Sequence, residues 1–253
     1  MPNLGKSYFT FSVVLPQFES DRFYFPCMPK QIHHYELAST AWIAATQGPC
    51  FLLPAMAGLD PETVDLLGCL PIANANARLI DCLTAPDWQP EAVEFACVFA
   101  ADPFYDAAQL VEDLRTANIS GIANLPSLGI LDGRFAEVMS ASGFDFQREL
   151  QCLEFAKRQG LRTTAFVWNE QQGIAGLQAH ADQLVVHPGG FLRHARAPEE
   201  AASAAVDLVK QLQQLSGSET PILLYRHPTL YHELAAATDI ADGIIIYADQ
   251  FQR

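Results

Sequence analysis

Short, nearly continuous apolar runs alternate along the chain with longer stretches in which apolar residues recur every three or four positions. The short runs are Phe9–Leu15, Cys50–Leu53, Val93–Phe99, Gly121–Asn124, Thr163–Trp168, Gln183–His187, Pro221–Tyr225 and Gly243–Tyr247. Most are rich in β-branched or aromatic residues and lack a clean in–out alternation. Strands buried on both faces read this way, as in a parallel sheet.

The longer stretches carry helical spacing. Ala107 to Ala117 places Ala108, Leu110, Val111, Leu114 and Ala117 on one face, and Phe146 to Gln159 does so with Phe146, Leu150, Leu153 and Phe155. Pro198 to Leu215 aligns Val206, Leu208, Val209 and Leu212. It opens on Pro198-Glu199-Glu200, which fixes φ in the first turn and sets acids at the positive end of the helix dipole. Gly160 after Gln159 reads as a helix stop. Strand and helix repeated about eight times predict one α/β domain over residues 1–253, a (β/α)8 barrel. An open doubly wound sheet fits less well, because no G-x-G-x-x-G follows the first run. The region Glu19–Gln31, with Pro26 and Pro29, reads as an irregular extended loop or extra hairpin near one end of the barrel.

Composition narrows the function classes. The chain has 253 residues, 50% hydrophobic and 17% charged, which is the usual size and balance of such a barrel. A net charge of −14 repels phosphate backbones and anionic lipid, so neither nucleic acid nor a membrane surface is an expected partner. A small anionic metabolite would need a local positive site. The six cysteines, Cys27, Cys50, Cys69, Cys82, Cys97 and Cys152, form no C-x-x-C pair and read as reduced, mostly buried thiols. The run Phe9–Leu15 has no basic, signal-like preamble, and no stretch is apolar enough to span a bilayer. A cytoplasmic protein is the expectation.

In a barrel, functional groups sit just after each strand. That rule selects Asp102, Asn124, Asn169, Glu170, His187, Arg226, His227, Tyr247 and Asp249. His187 ends an apolar strand before Pro188-Gly189-Gly190, where it reads as a general base, a metal ligand or a hydrogen-bonded mouth residue. Glu170 is an acid/base candidate or a helix-capping group. Asn124 and Asn169 would orient a carbonyl or carboxylate, or satisfy loop backbone. Arg226, followed by His227, is the best anion clamp, since its fork matches a carboxylate or phosphate; a surface ion pair is the alternative. The stretch Asn124–Phe135 is a shaped loop by its Pro126, Gly129 and Gly133, with Asp132 as a turn former or ligand contact. The histidines lack a standard metal spacing. A hard cation such as Mg2+ needs few protein ligands, and Asp102 or Glu170 with water would supply them. No organic cofactor is expected.

The loop Asn124–Phe135 resembles the phosphoenolpyruvate hydrolase-like TIM-barrel family, also called TIM-barrel signal-transduction proteins. The resemblance is clearest from Val98 to Gly190, through Asp102-Pro103-Phe104, Gly143, Glu149, Phe166 to Glu170 and Ala181-Asp182 through His187. It extends more weakly over Gly68–Asn76 and the last two strands. It implies a barrel related to the phosphoenolpyruvate/pyruvate group, with Mg2+, a small 2-oxo acid or phosphoenolpyruvate-like ligand, and C–C or P–C cleavage by a lyase or hydrolase. His187 and Glu170 would then be catalytic, Asn124, Asn169, Arg226 and His227 would bind substrate, and Asp102 would hold the metal. Homo-oligomers are common among such barrels. This chain departs from the pattern in three places. Leu15-Pro16-Gln17-Phe18 stands where a glycine-rich segment is expected, Pro54–Asp60 replaces a basic loop, and Arg226-His227-Pro228-Thr229 replaces His-Gly-Gly. Those losses leave a second expectation open: a non-catalytic barrel that binds a metabolite or a partner chain.

Overall fold

A computed structural model describes residues 33–39, 49–60, 63–70, 74–89, 91, 93–189 and 197–248. Eight parallel strands close into a barrel in simple sequence order. They are β1 (His33–Ala38), β2 (Cys50–Leu52), β3 (Val93–Cys97), β4 (Gly121–Ala123), β5 (Arg162–Val167), β6 (Gln183–Val186), β7 (Ile222–Arg226) and β8 (Gly243–Tyr247). β1 pairs with β8 and closes the ring. The helices are α1 (Val64–Leu67), α2 (Ala75–Leu83), α3 (Ala107–Thr116), α4 (Gly133–Ala141), α5 (Phe146–Arg158), α6 (Glu170–Gln178) and α7 (Pro198–Ser216).

Seven of the eight strands fall on the apolar runs. The first does not. The barrel's β1 is His33–Ala38, a segment the apolar pattern passes over, because only its buried positions Tyr35, Leu37 and Ala38 are apolar. The runs Phe9–Leu15 and Glu19–Gln31 lie outside the described residues. The compact unit that holds the barrel is Gln31–Arg253.

Alternation along the strands divides the core in two. Leu37, Phe51, Phe95, Phe166, Leu223, Tyr225 and Ile245 point one way and fill the barrel. Phe51 and Phe95 stack there with ring centroids 4.6 Å apart. Ala38, Leu52, Ala96, Ala165, Leu184 and Leu224 point outward against Leu110, Leu114, Leu150, Leu153, Val209 and Leu212 of α3, α5 and α7. Both strand faces are therefore buried, which is why these strands read as continuous apolar runs.

The helices start where short polar side chains satisfy the first free amides. Asp106 accepts from Ala108 N at 2.7 Å, Asp145 from Arg148 N at 3.0 Å, and Asn74 from Ala77 N at 2.8 Å. Pro198 opens α7, and Gly160 lies just past α5 with φ of 90°. The Asn124–Phe135 segment is shaped as its proline and glycines imply: Leu125-Pro126 is cis, Leu128–Ile130 forms a 3-10 turn, and Gly133 has φ of 56°. Asp132 stands at the N-cap of α4 without a side-chain capping bond.

Candidate functional site

The segments after β2, β6 and β7 bring three ionisable side chains to one point at the C-terminal end of the barrel. His187 follows β6, His227 follows β7, and Asp65 sits in the short α1. His187 Nε2 lies 3.1 Å from Asp65 Oδ2, and His227 Nε2 lies 3.0 Å from the same oxygen. All three are buried. Asp65 Oδ1 has no hydrogen-bond partner among the described residues. Burial works to raise the Asp65 pKa, but the two imidazoles outweigh it and hold the carboxyl well below the usual carboxylate range.

The other ring nitrogens fix the tautomers. Gly189 N donates to His187 Nδ1 at 3.1 Å, and Thr229 N donates to His227 Nδ1 at 3.2 Å. A nitrogen that accepts an N–H carries no proton, so each neutral ring holds its proton on Nε2, towards Asp65. The His187 ring is sandwiched by aromatics: Trp168 stacks at 4.9 Å and Tyr225 lies tilted at 4.9 Å.

Arg226 ends β7, next in sequence to His227. It is 8% exposed, donates from Nη2 to Tyr231 O at 2.8 Å, and stacks 3.9 Å above the Tyr231 ring. No carboxylate lies within ion-pair distance of it among the described residues, and its Nε lacks a partner there. A guanidinium is a fixed positive charge, and its field acts on whatever enters beside it.

Asn124 belongs to a second buried cluster. Its Oδ1 accepts from Phe166 N at 2.7 Å, and its Nδ2 donates to Glu149 Oε2 at 2.8 Å. Glu149 also accepts from Ser127 Oγ at 2.5 Å and Leu128 N at 2.6 Å. Burial pushes its pKa up, the bonds from Ser127, Asn124 and Leu128 push it down, and the result is about 7. This cluster ties the loop after β4 to α5.

Of three further candidates, Asn169 and Asp102 are held in contacts of their own. Asn169 is the exposed N-cap of α6 and accepts from Gln172 N at 3.0 Å; Glu170 is exposed in the first turn. Asp102 is half-buried, accepting from Asn76 Nδ2 at 3.1 Å and Phe104 N at 2.9 Å. Both of its oxygens are thus engaged. Among the described residues, no group of three His, Cys, Asp or Glu side chains is placed to hold a metal ion. The histidine pair is unsuited as well, because each Nε2 carries a proton and each Nδ1 faces an amide. The histidine–aspartate cluster therefore does not fit a resident cation, and no step below runs through one.

Two site residues escape a reading of the sequence. Asp65 lies in Val64-Asp65-Leu66-Leu67, where one acid in a four-residue helix looks solvent-facing. Glu149 carried a signal: it precedes Leu150 on the buried side of α5, so an acid occupies a core-facing position.

A family model described as phosphoenolpyruvate hydrolase-like matches residues 62–221, well over half of the chain. The chain belongs to the phosphoenolpyruvate hydrolase-like family. The matched span holds Asp65, Asn124, Glu149 and His187, while Arg226 and His227 lie beyond it. Among relatives of this family member, the ToMV resistance protein Tm-1 of Solanum lycopersicum is 32% identical over 127 residues, 49% of this chain but only 17% of that protein. The protein y4oT of Sinorhizobium fredii is 33% identical over 150 residues, 56% of this chain and 76% of that one. Of solved structures, oxaloacetate acetylhydrolase in complex with 3,3-difluorooxalacetate superposes with a TM-score of 0.52 at 15% identity, over 88% of this chain and 77% of that one. The 2,3-dimethylmalate lyase, a PEP mutase/isocitrate lyase superfamily member, does so with 0.51 at 14% identity, over 87% and 76%. These superpositions establish the barrel fold. No helix among the described residues is long and apolar enough to cross a membrane.

Proposed function

We propose that the barrel is a lyase or hydrolase of a small 2-oxo acid or phosphoenolpyruvate-like carboxylate, bound at its C-terminal mouth. The observation that carries this reading is Arg226: an enclosed guanidinium without a carboxylate partner among the described residues. Burying a charge is costly unless it is paired, so such a group calls for an anion from outside. Membership in the phosphoenolpyruvate hydrolase-like family supports the same class, as do fold neighbours that are by name an oxaloacetate acetylhydrolase and a 2,3-dimethylmalate lyase.

In this reading the ligand carboxylate pairs with Arg226, and His187, just past the end of the neighbouring strand, moves the proton that bond cleavage requires. The lone pair of His187 is on Nδ1, so the Gly189 amide must give way before the ring can accept a proton. His227 is the second member of the proton pair. In the same reading Asn169 and Glu170, exposed at the start of α6, meet the ligand from the solvent side.

One observation favours a second reading, a ligand-binding barrel without turnover. His187 Nδ1 is taken up by the Gly189 amide, Nε2 faces Asp65, and the side chain is fully buried. The test is a thermal-shift titration with phosphoenolpyruvate, phosphonopyruvate, oxaloacetate and pyruvate, each with and without Mg2+, followed by NMR detection of products. A ligand at a hundredfold excess over its Kd stabilises the native state by about 2.7 kcal/mol. A shift that vanishes in Arg226→Ala supports the anion site. Turnover lost in His187→Ala with folding intact supports catalysis, whereas binding without products selects the second reading. No shift with any of the four acids rejects the ligand class.

A further inference from the structure

Asp65 reaches the histidines from a different part of the chain, and one carboxylate oxygen serves both. That geometry ties together the segments after β2, β6 and β7. The tie continues outward: each imidazole, through Nδ1, holds a backbone amide of the segment that follows its strand, Gly189 after β6 and Thr229 after β7. Gly189 adopts φ of 71°, a left-handed turn that aims its N–H back at the ring. Thr229 adds its hydroxyl, 2.7 Å from His227 Nδ1.

In a neutral imidazole of this setting Nδ1 accepts from a backbone amide while Nε2 faces Asp65 Oδ2. A protonated ring cannot keep the first of these contacts. The added proton can go only to Nδ1, since Nε2 already carries one, and there it meets an amide N–H donor head on. Proton uptake by His187 therefore requires the Gly189 contact to open, and uptake by His227 trades the Thr229 amide for the Thr229 hydroxyl, 2.7 Å away. The ionised Asp65 compensates the positive charge that results, at 3.0–3.1 Å from both rings. Among the described residues, the other titratable or charged groups around the cluster are the Tyr225 phenol from β7, the Cys69 thiol just past α1, which bonds Ser127 O and Asp65 O, and Arg226 at the end of β7, whose guanidinium turns to Tyr231. Trp168 covers the His187 ring but does not titrate.

We infer that Asp65 is the positioning residue of a proton-operated latch, in which protonation of His187 or His227 releases the backbone at Gly189 or Thr229. The latch deepens the catalytic reading, because the His187 lone pair that the proposed chemistry needs is the one the Gly189 amide covers. It exists as a property of the fold whether or not a 2-oxo acid is turned over.

The test is NMR on the full chain, following the histidine ring nitrogens and the exchange of individual backbone amides as the pH is lowered. At neutral pH both rings are expected as Nε2–H tautomers. As a ring takes up its proton, exchange protection at Gly189 or Thr229 is expected to fall by about tenfold or more in the same pH interval, while the strand amides of Ala165 and Leu224 keep theirs. In Asp65→Asn, which keeps the shape but not the charge, the same loss of protection should need a more acidic solution. A second variant, His227→Gln, leaves Asp65 and His187 in place and should confine the opening to Gly189; it decides the matter if Asp65→Asn does not fold. Rings in the Nδ1–H form at neutral pH overturn the latch. So does protection at Gly189 and Thr229 that stays constant while the rings titrate, or that responds identically in wild type and Asp65→Asn. The readout is protons and amides, so failed turnover leaves it standing, and its own failure leaves the Arg226 anion site untouched.

Discussion

Replacing Glu149 by Gln removes a buried titration and should flatten the pH dependence of stability. Three donors converge on this carboxyl, from Asn124, Ser127 and Leu128, and Asn124 cannot turn over because its Oδ1 already accepts from Phe166 N. Those bonds favour the ionised form, but burial opposes it and wins, raising the pKa from 4.5 to about 7. An acid whose pKa is raised on folding stabilises the native state fully below its unfolded pKa, and that contribution is lost as pH rises through the folded value. At about 1.36 kcal/mol per pKa unit, wild type loses about 3 kcal/mol from this group alone between pH 4.5 and 7. Glutamine cannot titrate, so its variant lacks that slope. It has a different defect at every pH: one of its positions must set an NH2 against a fixed donor, which costs about 1–3 kcal/mol. Urea unfolding at a series of pH values, read by circular dichroism, gives both curves. Wild type should be clearly the more stable at pH 5, and the gap should close or reverse by pH 8. Parallel curves across that interval would refute the argument, and with it the picture of burial overriding three hydrogen bonds.

Other outcomes follow from the same contacts. Gly68→Ala would put its Cβ 2.6 Å from Pro126 Cγ, so α1 must move away from the loop after β4; a loss of about 1–3 kcal/mol in thermal unfolding is expected, together with disturbed Asp65 contacts in NMR. Arg226→Lys keeps the charge but not the fork, and should weaken binding of a carboxylate ligand by about tenfold in calorimetry. Asp106→Ala strips two accepted bonds from the start of α3 and should cost about 1 kcal/mol in denaturant unfolding.

The barrel was legible because seven of its strands are buried on both faces and announce themselves as apolar runs. β1 was not, since His33, His34 and Glu36 alternate with its buried residues. Helix ends were legible where chemistry is local, at Pro198 and Gly160. The histidines could be picked by their place after a strand, but their partner could not. Nothing near Val64 or Leu66 says that Asp65 will lie beneath two rings from residues 187 and 227; that is set by how α1 folds back over the barrel end. Asn124 shows the opposite limit. Its place at a strand end suggested a ligand contact, while its amide is spent at both ends on Phe166 and Glu149.

The seam between β1 and β8 also bears on how the chain assembles. Every other strand pairs with its neighbour in sequence, but this seam sets His33 opposite Gly243. The ring can therefore be laid down strand by strand as the ribosome extrudes the polypeptide, yet it cannot shut until the final strand has emerged. Bringing such distant segments together is the slow, entropically costly step. Meanwhile one side of β1 is an open edge, and open edges recruit other chains. A strand of Val and Ile would invite that pairing. His33, His34 and Glu36 make the waiting edge a poor template, so the polar residues that concealed β1 act as its guard during synthesis.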